Sequence, residues 1–218
     1  MKLTIRILGV ILVLALVLLG ITSREAKADF IVDPDPGGLK FFIDKPDDPT
    51  TSFTGDVGGQ DSGVGVSVAT NVNVTTGSGY ANIKPDGDLI LTTLTFSPDD
   101  PNLFGDFSFR GQLEAAGSVT VTVWDNQGDP SQPFIFPDLP KNADFGRLGI
   151  IADEGSGETI LKVEISSFGF NEVKQIDFSY AEGVTPIPEP TTMFLLGSGL
   201  LGLAGYGKKK FLKKQMNI

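Results

Sequence analysis

The sequence predicts an all-β domain, an antiparallel β-sandwich of jelly-roll type, and three observations carry that prediction. Apolar residues recur at every second position in run after run. Clusters of Gly, Pro, Asp and Asn interrupt the runs at short intervals, and no stretch between residues 29 and 185 shows helical apolar spacing. A period of two sends one side of each strand into a core and leaves the other wet, as two packed antiparallel sheets require. Strand order is not visible in such a pattern, so a β-barrel or a pair of smaller β units stands as the alternative. There is no repeat of fixed period, which argues against a propeller or a solenoid.

Taken in order, residues 1–28 join Lys2 and Arg6 to an apolar run and a small-x-small close at Ala26 and Ala28. That is the make-up of a signal peptide, cut by signal peptidase to leave Asp29 as the first residue. The ectodomain, 29–183, begins with the lead-in DFIVDPDPGG, whose prolines and glycines break regular structure. LKFFID reads as a strand and KPDDPTTSFTGDVGGQDSG as a long surface loop. VGVSVATNVNVTT places Val64, Val66, Val68, Val72 and Val74 on one side of a half-buried strand. Pro85-Asp86-Gly87-Asp88 is a turn between two extended runs: Pro presets φ and Gly accepts a positive one. LFGDFSFRGQL and SVTVTVWD alternate again, and FGRLGIIA, ETILKVEISSF and EVKQIDFSY supply three further strands, with breaks at Gly155, Gly157, Gly169 and Asn171. The total is about eight to ten short strands.

Charge is divided unevenly. The whole chain carries −10, but residues 29–187 hold 25 acidic side chains against eight basic ones, a net of −17. A field of that sign repels nucleic acid and favours solubility and divalent cations. The absence of Cys and His removes disulfides, Ser-His-Asp and Cys-His nucleophiles, and thiolate or imidazole zinc sites. The inventory still permits paired carboxylates acting on a glycosidic bond, with no pair singled out. Asp-rich loops, among them Asp33/Asp35, Asp47/Asp48, Asp86/Asp88, Asp99/Asp100 and Asp125/Asp129, offer the hard oxygens Ca²⁺ takes, although Asp is equally a turn former. Asp125 and Asp129, beside Trp124, are the first candidates. Trp124 is also the candidate glycan platform, ahead of Tyr80 and Tyr180: it shares a strand side with Thr120 and Thr122, either exposed there or capping the sandwich edge.

After the domain comes a proline-rich spacer, 184–190, that cannot join a helix. Residues 191–207 follow as a short apolar helix, about 24 Å long from Thr191 to Tyr206, against a hydrocarbon core near 30 Å. Gly197, Ser198, Gly199 and Gly202 give it small residues for close helix approach. A basic tail, 208–218, closes the chain with Lys208, Lys209, Lys210, Lys213 and Lys214, which keep that end cytoplasmic by the positive-inside bias. Pro188-Glu189-Pro190, the glycine-rich helix and the lysines, in that order, resemble the PEP-CTERM sorting segment of exopolysaccharide-producing Gram-negative bacteria. Ile187 stands where Val is commonest in that family.

The resemblance implies recognition and cleavage by an exosortase. The precursor would be anchored in the inner membrane by its C-terminal helix, and the product sent to the cell surface or extracellular matrix. The expected function is that of an exported, non-enzymatic surface or matrix protein. The alternative is a carbohydrate-binding adhesion module for exopolysaccharide, with or without Ca²⁺, and the third reading is a polysaccharide hydrolase using carboxylates.

Overall fold

The computed structural model describes residues 29–44, 49–59, 63–77, 79–153 and 156–184. The chain divides into two compact units, 1–182 and 183–218, and the account below is of the first. Ala26 and Ala28, Pro188 to Pro190, the helix expected at 191–207 with Gly197, Ser198, Gly199 and Gly202, and the five tail lysines lie outside the described residues. So do Asp47 and Asp48.

The described residues form twelve strands: β1 (Phe30–Val32), β2 (Leu39–Ile43), β3 (Thr50–Val57), β4 (Val64–Thr76), β5 (Gly79–Tyr80), β6 (Asn82–Pro85), β7 (Leu91–Pro98), β8 (Phe104–Leu113), β9 (Gly117–Asp125), β10 (Phe134–Leu139), β11 (Asp144–Ala152) and β12 (Ile160–Tyr180). Every strand pair is antiparallel, so the fold class read from the sequence is the one observed.

Three elements differ from the expectation. The stretch read as one long loop contains β3, whose TTSFTGDV carries so much Thr, Ser and Gly that only Phe53, Gly55 and Val57 reveal its inward side. FIFPDL forms β10, a half-buried strand that tolerates Pro137 because it lies at the edge of the sheet beside β9. ETILKVEISSF and EVKQIDFSY are not separate strands. They run together as β12, which passes through Gly169 and Asn171 without ending.

β12 organises the molecule. Its first half pairs with β9 on one side and β7 on the other. Its second half pairs with β8, and also with β6 and β2. Phe170 is the corner, matched to Leu91 of β7 and to Leu113 of β8. One layer therefore contains β10, β9, the start of β12, β7, β4 and β3; the other contains β1, β11, β8 and the end of β12.

Between them lies the core. Phe96 of β7 meets Phe107 of β8 at 5.3 Å and Phe41 of β2 edge-on at 6.4 Å. Phe107 and Phe104 each lie 5.1 Å from Phe178 of β12. These rings are essentially inaccessible to solvent, and burying one stabilises the fold by roughly 1.5–3 kcal/mol. Such burial, not cross-linking, holds a chain with no Cys.

Candidate functional site

Alternation along the strands gives the two layers different outer surfaces. On the layer of β8, β11 and the end of β12, the outward side chains include a network of charged groups that satisfy one another. Arg147 donates to Ser108 Oγ at 2.8 Å, ion-pairs with the buried Asp177 and lies 3.5 Å from Asp35. Tyr80 donates its hydroxyl to Asp177 at 2.7 Å; burial first, and that bond second, push its pKa up to about 12. Lys174 joins Asp144 at 2.9 Å and Glu172 at 3.1 Å, and Asn82 Nδ2 donates to Glu172 at 2.7 Å. The lead-in segment crosses the same side, with the Asp33 amide bonded to the Gly149 carbonyl at 3.1 Å.

The other layer presents hydroxyls. Register aligns Thr122 of β9, Glu164 of β12, Thr95 of β7, Ala69 of β4 and Ser52 of β3 in one row across five strands. Thr120, Ser166 and Thr93 form a neighbouring row, and Ser97, Ser67 and Thr54 another. At a strand spacing near 4.8 Å the long row covers about 19 Å. Apart from Glu164, small side chains make this surface flat. At its β3 end a groove of about 590 Å³ is lined by Ser52, Thr54, Ser67, Thr95, Ser97 and Asp44, whose Oδ2 accepts the Thr54 hydroxyl at 3.0 Å.

Trp124 lies on this outward side, as its phase with Thr120 and Thr122 requires, and is half-buried. Lys162, its register partner on β12, places Nζ 3.6 Å from the ring centroid. One indole face is thus covered by an ammonium, a contact worth about 0.5–1 kcal/mol. Tyr180 stacks on Phe104 at 5.5 Å, and Tyr80 has Lys40 Nζ 5.1 Å from its ring centroid and its hydroxyl on Asp177, so each of the three candidate rings has one face covered.

Asp125 and Asp129 share one tight turn. Asp125 is buried, and its Oδ1 accepts the amides of Gln127 at 2.9 Å and Asp129 at 2.8 Å. Asp33 and Asp100 cap their own turns in the same way. Ca²⁺ takes six to eight oxygens, and no group of three His, Cys, Asp or Glu able to hold a metal occurs among the described residues. These carboxylates serve their own turns.

Sequence analysis gave Phe168 no role. It is 84% exposed. The signal was present: Glu164, Ser166 and Phe168 share parity, so a strict period of two already points Phe168 outward.

Residues 186–209 match the family model of the PEP-CTERM protein-sorting motif. The chain carries a PEP-CTERM signal. That signal indicates an exported protein sorted by an exosortase to the cell surface, and the PEP-CTERM segment follows the last β-strand directly in sequence. No curated protein matches the chain.

Among solved structures, the protein is similar to a family 29 carbohydrate binding module from Piromyces equi, at 13% identity over 75% of this chain and 98% of that one, with a TM-score of 0.36. It is similar to the family 11 carbohydrate-binding module of the cellulosomal cellulase Lic26A-Cel5E of Clostridium thermocellum, at 12% identity over 72% and 97%, TM-score 0.30. The enzymatically active domain of tailspike protein 4 from bacteriophage CBA120 matches at 14% identity over 68% and 20%, TM-score 0.27. Likeness at these scores says nothing of what this chain binds.

Proposed function

We propose that the protein is a non-enzymatic surface or matrix component that binds neutral polysaccharide on the hydroxyl-bearing layer of its β-sandwich, and that its two ends serve delivery. The observation that carries the reading is the row Thr122, Glu164, Thr95, Ala69, Ser52 with its flanking rows. A flat surface of small hydroxyls matches an extended chain of sugar hydroxyls. The opposite layer, by contrast, has its polar groups engaged with one another and with the lead-in segment.

A net charge of −17 over residues 29–187 favours a neutral glycan over an anionic one. The reading calls for no Ca²⁺, and Asp125 Oδ1 serves its own turn. On the delivery side, signal peptidase cuts after Ala28, the 191–207 helix holds an inner-membrane precursor of a Gram-negative cell, and the exosortase reads Pro188-Glu189-Pro190.

Affinity gel electrophoresis of the full chain, with soluble neutral polysaccharides in the gel, tests the binding. Retardation that persists in EDTA is expected. Migration unchanged by every neutral polysaccharide would refute the reading.

A further inference from the structure

Phe168 has no structural use for its ring: at 84% exposure it forfeits most of the burial a phenyl group can gain. Yet the backbone around it is firmly held. The Gly169 carbonyl accepts the Glu114 amide at 3.0 Å and the Gly169 amide donates to Ser167 Oγ at 3.2 Å. Gly169 itself is wedged between Glu114 and Ile90, where a Cβ would stand 2.9 Å from Glu114 Oε2. The corner of β12 therefore fixes the backbone that carries the ring.

What surrounds the ring is polar and uncharged on one side. A small hollow is lined by Phe168 with Ser118, Thr120, Ser166 and Ser167. No Lys or Arg lines that hollow, nor the second one that Phe168 shares with Pro137, Asp138 and Pro140. Six residues up the same strand is Lys162, lying over Trp124. At about 3.3 Å per residue the two aromatics stand some 20 Å apart along one outward strip.

We propose that Phe168 is the stacking platform for a pyranose ring of a neutral polysaccharide lying along β9 and the first half of β12, with the hydroxyls of Ser118, Thr120 and Ser166 bonding the sugar's own. This rests on the polysaccharide reading above and assigns the aromatic role to Phe168 in place of Trp124. The apolar C–H face of a sugar ring covers the phenyl face. The domain's negative field excludes polyanions, which leaves an uncharged chain as the occupant. A platform carried on a fixed backbone binds without the cost of ordering a loop.

The test is affinity electrophoresis of the full chain in mild detergent against a β-glucan, a glucomannan and a galactan, with alginate as the polyanion control. Phe168→Ala is expected to weaken binding about tenfold, the equivalent of one ring face of apolar area, without changing Tm. Phe168→Trp is expected to keep or tighten it. Neutral-glycan binding by the unaltered chain that Phe168→Ala leaves within about twofold overturns the platform and spares the polysaccharide reading. Binding of no neutral glycan, or of alginate alone, overturns both. Loss of self-association in sedimentation on Phe168→Ala, with glycan binding intact, assigns the ring to contact between copies and also overturns the platform.

Discussion

Asp106 shows how one residue's environment sets a pH dependence. It lies on the strapped layer opposite Ser179 in the register of β8 and β12. Burial pushes its carboxyl from 3.8 up to about 6; a bond from Ser179 opposes this and the nearby Asp33 adds to it. A carboxyl raised in the folded state favours the fold in its neutral form. Its contribution is complete below about 3.8 and is lost as pH rises through about 6. Asp106→Asn keeps the shape and removes the charge, so it is expected to raise Tm at pH 8 and to give no advantage at pH 4. A variant equally destabilised at both pH values would contradict this. Residues of this kind were only half legible in the sequence. Alternation predicted the outward side for Asp106 and Trp124 alike, but not that Asp33 approaches the first or that Lys162 covers the second. Those contacts join positions distant in the chain, and periodicity carries no information about them.

At the scale of elements, the packing of the lead-in segment on β11 depends on a missing side chain. A Cβ on Gly149 would stand 2.4 Å from the Asp33 carbonyl and 2.7 Å from the Pro36 ring. Gly149→Val is expected to lift residues 33–38 away while the sandwich stays intact. Hydrogen exchange should then quicken at the Asp33 amide, which bonds Gly149, and stay slow in the middle of β8. Uniform acceleration would mean the segment is part of the core. Strands rich in valine, such as β4 and β9, were legible because each alternate position repeats the same choice. β3 and β10 were not, because one is dominated by Thr and Gly and the other contains proline. The single strand β12 was read as two because Gly169 and Asn171 usually end strands. Here they turn one from layer to layer.

The whole molecule joins a domain with one open polar surface to a segment concerned with sorting. Mass spectrometry of the protein recovered from its host should show both ends removed, beginning at Asp29 and lacking Lys208 to Lys214. An intact lysine tail in most molecules would refute processing. The order of strands along the chain adds a constraint on timing. β12 borders β7, β8 and β9, and it is the last strand of the domain, with Tyr180 only eight positions ahead of Pro188. Pairings between such distant parts of a chain form late, because the intervening loop must first be closed. On a polypeptide exported from its N-terminus, β7, β8 and β9 wait with their apolar sides uncovered until residues 160–180 emerge. Completion of the fold and emergence of the sorting signal are therefore nearly simultaneous.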